Sequence, residues 1–185
     1  MGVNTRYVNA VKQIKTELQK RSAVPSIQLF DFFEEKEYWR LRKAMQHLPF
    51  RHEKKLLYFS YSAAAVPQHL LPSGLLAFLE QVLGKKPQHW MAYRFSWKDY
   101  CLLHDKSIEK PGTDLILDCT EEWPKNAGGK LIYTDAEGNG YPLAIQGNSL
   151  AIIVRKKGIQ KFFQYVNHYS RGRERLLLLG TLEKG

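Results

Sequence analysis

Apolar positions in the first half of the chain recur at helical spacing. Val8, Val11, Ile14 and Leu18 fall every three to four residues, which predicts one amphipathic helix closed before Pro25. Ser26–Phe30 is short and apolar and predicts a strand. Asp31 is placed to cap a helix whose inner face is Tyr38, Leu41, Met45 and Leu48, with Pro49 as its stop. A strand is expected through Leu57, Phe59 and Tyr61. Pro72-Ser73 then opens a helix carrying Leu75, Leu79 and Val82, and Gly84 ends it.

From about residue 88 the pattern shortens. Apolar stretches at 88–97, 99–103, 113–119, 130–134, 141–145, 149–155, 160–168 and 173–182 are separated by Gly, Pro, Asn and Asp clusters such as Lys110-Pro111-Gly112 and Glu137-Gly138-Asn139-Gly140. Strands at this spacing predict a jelly roll. The fold class is therefore α+β: one domain over 1–185, with residues 1–87 a mainly helical support buttressing one sheet and 88–185 the β core.

Composition narrows the function. With 185 residues and 44% hydrophobic side chains, the chain can bury a core and is not disordered. No apolar run reaches the roughly 18 residues that cross a bilayer, so no membrane association is expected. The polar N-terminus is no secretory signal, and Arg6 stands where a myristoylation signal needs Ser or Thr. Cys101 and Cys119 make no disulfide framework and read as buried thiols, so the expected compartment is cytoplasmic. Twenty-eight Lys and Arg against 18 Asp and Glu give a net charge of +10, which favours polyanionic partners, nucleic acid among them.

Few residues suggest chemistry. His47, His52, His69 and His89 have no carboxylate or second His at ligand spacing. His104 ends an aromatic strand and is followed by Asp105, two of the three ligands of an iron facial triad. The glycine pairs are hairpin glycines and match no phosphate loop. Asp114, Asp118, Glu121 and Glu122 lack the spacing of a calcium loop. Arg155, Lys156, Lys157, Lys161, Arg171, Arg173 and Arg175, interleaved with Phe162, Phe163, Tyr165 and Tyr169, form a basic and aromatic stretch of the kind that grips a nucleic-acid strand. The competing reading puts the aromatics in the core and the cations in solvent.

Taken in order, Tyr93-Arg94-Phe95, Asp99-Tyr100 through His104-Asp105, Asp114 through Trp123, Ala127-Gly128-Gly129-Lys130-Leu131, Tyr141 through Leu150, Phe163 through His168 and Arg173-Glu174-Arg175 form a collinear series. It resembles the prolyl-hydroxylase-like branch of the 2-oxoglutarate/Fe(II)-dependent dioxygenases. The resemblance implies a double-stranded β-helix and an oxidoreductase chemistry in which Fe(II) and 2-oxoglutarate together hydroxylate a C–H bond, on a protein or another polymer-borne group. It maps His104, Asp105 and His168 to the metal, and Arg175, with Arg173 in reserve and Tyr93 or Tyr100 assisting, to the far carboxylate of 2-oxoglutarate. The family's carboxylate position is filled by Lys106, and its distal-histidine position by Lys161 or Gln164. Asp105 can serve only with a reshaped backbone, and His168 only with a bulge or shifted register. The alternative is a non-catalytic member of the fold that binds a partner or nucleic acid through its basic face.

Overall fold

The computed structural model describes residues 2–102 and 110–183. Within them lie helices α1 (Thr5–Asn9), α2 (Val11–Gln19), α3 (Glu35–Gln46) and α4 (Ser73–Leu83). The strands are β1 (Ser26–Phe30), β2 (Arg51–Lys55), β3 (Phe59–Ala65), β4 (Trp90–Phe95), β5 (Tyr100–Cys101), β6 (Gly112–Asp118), β7 (Leu131–Thr134), β8 (Gly140–Pro142), β9 (Ser149–Arg155), β10 (Gln160–Phe163) and β11 (Arg175–Glu183). They join in the order β1-β9-β6-β11-β4-β3-β5-β10-β7-β8, with β2 added at β3. Every pairing between these strands is antiparallel.

The sheet curls on itself. Alternation along β11 sends Leu176, Leu178 and Leu182 to one face, where they pack with Leu41, Leu75 and Leu79 of the helices. Leu177 faces the opposite way and joins Phe95, Ile116, Leu131, Ile153 and Phe163 in an inner core. There Phe95 of β4 stacks on Phe163 of β10 with ring centroids 3.5 Å apart, closing β5-β10-β7-β8 over the long central strands. This is the expected α+β jelly roll, with helices backing one face and a cup on the other.

The first half is less separable than its pattern predicts. Residues 1–87 supply β1, β2 and β3 to the same sheet, and β3 lies between β4 and β5. The N-terminal helix is broken at Ala10, because Tyr7 and Arg6 reach the Phe30 carbonyl and pin the first turn to the end of β1. Asp31 does not cap α3: it has a φ of 50°, and Phe32 and Phe33 follow it into the core. The Asn148 side chain takes both the N–H and the carbonyl of Phe33, so the helix begins only after Glu34. Leu57 is not in a strand but in the β2–β3 turn, with a φ of 69°. Strand β2, Arg-His-Glu-Lys-Lys, is exposed at every position and carries no apolar period; its charges protect a sheet edge. Strand β10 stops at Phe163 rather than running to His168, since Val166 leaves the ladder to bridge Gly128.

Candidate functional site

Strand alternation turns Asp114 and Asp118 of β6, Arg155 of β9, Lys161 of β10 and Arg175 of β11 toward the inside of the cup. Charges taken out of water must be paired, and they meet in two groups.

At one end Arg175 donates from Nη1 to Asp118 Oδ2 at 2.6 Å and to Thr120 Oγ1 at 2.7 Å, and from Nε to the Gly129 carbonyl at 3.2 Å. Asp118 also accepts the backbone N–H groups of Thr120 and Gln146 at 2.9 and 3.3 Å. The Arg175 and Asp118 side chains are 3% and 5% exposed. The guanidinium lies 5.8 Å from the centre of the Trp123 ring, and that indole donates to the Gly128 carbonyl at 2.9 Å. Gly128 and Gly129 have φ of 71° and 70°, and a Cβ on Gly129 would come within 2.9 Å of Trp123. The Trp-Gly-Gly spacing thus builds the seat of Arg175. The space left beside Asp118 and Arg175 is only about 10 Å³, room for at most one water.

At the other end Asp114 is fully buried between Arg155 Nε and Lys161 Nζ, each at 3.0 Å. Tyr133 Oη and Thr181 Oγ1 donate to it at 2.8 and 3.2 Å. A cavity of about 240 Å³ opens within the cup, lined by Tyr61, Tyr93, Phe95, Leu177, Leu179 and Lys161 among others.

Tyr93 lines this cavity, and it pairs with Leu177, two residues along β11 from Arg175. Tyr100 is half-buried, its ring 6.4 Å from that of Tyr165. Arg173 is half-exposed and paired with Glu122 at 3.3 Å. His168 sits exposed on a short 3-10 turn, its ring 4.1 Å from Tyr169. His104, Asp105 and Lys106 lie outside the described residues. Of the two residues matched to the distal histidine, Lys161 faces the cup, while Gln164 is exposed and donates its backbone N–H to the Lys130 carbonyl. The basic stretch also divides: Arg155, Lys161 and Arg175 turn inward, Phe163 is core, and Tyr165, Tyr169 and Arg171 remain outside.

Asp118 and Thr120 were missed by sequence reasoning. The available signal was a carboxylate at each end of Asp114-Leu115-Ile116-Leu117-Asp118: an acid inside a buried strand demands a cation on a neighbouring one.

The two cysteines differ. Cys101 is half-buried, whereas Cys119 is buried on the helix side. Burial, reinforced by nearby Asp118, pushes the Cys119 thiol well above the usual thiol range, so it carries no thiolate at neutral pH. Titration of native protein with a thiol reagent at pH 8 is expected to modify no more than one cysteine, and both after unfolding. Rapid modification of two in the native state would contradict this placement.

Fe(II) and 2-oxoglutarate can be tested against these residues. A dicarboxylate at Arg175 would set a second carboxylate beside Asp118, against one guanidinium, in a space of about 10 Å³. That arrangement is disfavoured by volume and by charge, and 2-oxoglutarate does not fit there while Asp118 holds its place. No group of three or more His, Cys, Asp or Glu side chains converges on a metal-sized point among the described residues. The one residue described at the expected metal-ligand positions, His168, lies on the outer surface.

No protein-family model matches the chain, and no curated protein does. Solved structures do. A prolyl-4-hydroxylase from Pseudomonas putida is similar with a TM-score of 0.72 at 12% identity, covering 95% of this chain and 100% of that one. A prolyl hydroxylase from Trichoplax adhaerens, in complex with a hypoxia inducible factor peptide fragment, gives 0.73 at 9% identity over 97% and 91%. HygX from Streptomyces hygroscopicus, with nickel, 2-oxoglutarate and hygromycin B bound, gives 0.60 at 10% identity over 86% and 83%. The chain therefore has the fold of the 2-oxoglutarate/Fe(II) dioxygenases, and within it the prolyl-hydroxylase-like form. No helix among the described residues is long and apolar enough to cross a membrane.

Proposed function

We propose that this chain is a binding protein built on the dioxygenase fold, in which 2-oxoglutarate has no part. One observation carries the reading: the guanidinium at the start of β11 is held by the chain's own carboxylate, Asp118, at 2.6 Å. The buried pair is balanced charge for charge, and Thr120 and Gly129 complete the guanidinium's contacts. A ligand carboxylate would have to displace Asp118, leaving an acid in a nearly dry site. Lys161 reinforces the reading. Of the two residues matched to the distal histidine, the one that faces the cup is an ammonium, anchored by Asp114.

The rival reading, a hydroxylase using Fe(II) and 2-oxoglutarate, is favoured by the likeness of fold. Calorimetric titration of 2-oxoglutarate into the protein with Fe(II), under anaerobic conditions, separates the two. No saturable heat at millimolar 2-oxoglutarate, and no visible charge-transfer band, is the expected result. Saturable binding that is lost in Arg175→Gln would establish the rival.

A further inference from the structure

The structure assigns a binding surface for single-stranded nucleic acid to the rim of the cup, beside rather than inside the cavity. This rests on the reading of the chain as a binding protein and names its partner.

Three separate segments build the rim, residues 97–100, 125–130 and 164–171. Their backbones lock together. Lys98 N–H donates to the Val166 carbonyl at 2.8 Å and Val166 N–H to that of Asp99 at 2.9 Å. Gln164 N–H reaches the Lys130 carbonyl at 2.8 Å, and Asn167 N–H reaches that of Ala127 at 3.0 Å. The Asn167 side-chain amide adds a bond to the Asn126 carbonyl at 2.7 Å. The surface is thus assembled before any ligand arrives, which reduces the ordering cost of binding.

Its chemistry is two-fold. Trp97, Tyr165 and Tyr169 are 54%, 46% and 48% exposed, unusual for such large rings. The Tyr100 ring supports Tyr165 at 6.4 Å, and His168 supports Tyr169 at 4.1 Å. The Lys98 ammonium lies over the Trp97 ring, 4.4 Å from its centre, which leaves the other face of the indole for a base; exposed rings of this kind are surfaces on which bases stack. The same segments carry Lys98, Lys125, Lys130 and Arg171, all exposed, against a single acid, Asp99. Asp99 is buried and turned inward, accepting from Ser60 Oγ at 2.6 Å and Ser96 N–H at 2.8 Å. Among the described residues, the acids that flank these segments at 122 and 174 are already paired, Glu122 with Arg173 and Glu174 with Arg94. Among the described residues the rim therefore carries four exposed cations and one buried acid, beside exposed rings, on a chain of net charge +10. A strand with a phosphate backbone and unpaired bases satisfies both features. An acidic peptide satisfies only the charge, and a duplex hides its base faces.

The test is fluorescence anisotropy of labelled 12-nucleotide oligo(U) and oligo(dT) with the full chain, beside a duplex of equal length and heparin as competitor. Single strands are expected to bind at least tenfold more tightly than the duplex. Trp97→Ala and Tyr165→Ala should each weaken binding by between about fivefold and a hundredfold, while Tyr165→Phe retains it. Lys98→Glu and Lys130→Glu should each flatten the dependence of log affinity on log salt by about 0.7. Circular dichroism of each variant checks that it is folded. Equal duplex binding, unchanged affinity in the folded alanine variants, or no binding at low salt would overturn the assignment. Because 2-oxoglutarate is titrated separately, the two failures are distinct. Its binding would defeat the reading of the cup, and silent oligonucleotides would defeat the rim.

Discussion

Asp118→Ala is expected to cost about 3–5 kcal/mol of stability, because it strands a buried guanidinium. For a chain of this size that lowers Tm by roughly 10 °C. Arg175 keeps only neutral partners, Thr120 and the Gly129 carbonyl, and neither balances its charge. The same change leaves a hole the size of a small carboxylate next to that charge. Formate or acetate is therefore expected to raise the Tm of Asp118→Ala in a saturable way, since a ligand that binds only the native state stabilises it. Wild type should not respond. Thermal unfolding with and without formate checks both statements. An unchanged Tm in the variant, or an equal formate response in the two proteins, would count against a carboxylate seat filled from within.

Gly128→Ala is the second large effect. A Cβ there would sit 2.2 Å from the Tyr165 carbonyl, on a residue whose φ is +71°. The left-handed backbone alone disfavours alanine by about 1–2 kcal/mol. The clash is with main chain, so relief requires the 164–167 segment to move, at a further cost of roughly 1–3 kcal/mol. That movement opens the Gly128–Val166 bridge and slackens the bond from Asn167 N–H to Ala127. The variant should show a lower denaturant midpoint and weaker binding of single-stranded oligonucleotide, although it removes no ring and no charge. A midpoint and an affinity equal to wild type would mean that the rim does not depend on this close approach.

The legible part of the fold was the part with continuous apolar runs. Strands β6, β9 and β11 carry buried side chains on both faces, and turn residues bracket them, so their positions could be read almost to the residue. Strand β2 could not be read, because an exposed edge of Arg, His, Glu and Lys has no apolar period. The broken first helix and the late start of α3 depend on contacts with residues far along the chain, Phe30 and Asn148, and local propensity holds no record of these.

The site followed the same rule. Arg175 was singled out from a resemblance, and the structure places it in the cup. Its partner was not foreseen because pairing Asp118 with Arg175 depends on the register of β6 against β11, where Asp118 lies opposite Leu177. Sequence spacing of 57 residues says nothing of that register. The exposed rings were read as one linear stretch, 155–175. The structure divides that stretch between cup and rim, and adds Trp97 and Lys98 from a distant loop.

The most direct measurement is the nitrogen-15 resonance of the Arg175 Nε–H group, assigned through Arg175→Lys and followed as 2-oxoglutarate is added. Bonded to Gly129 and locked to Asp118, it should stay in place through millimolar 2-oxoglutarate in wild type. A saturable shift of that signal in the wild-type protein would show the guanidinium meeting an outside carboxylate, and Asp118 would then not be its resident partner.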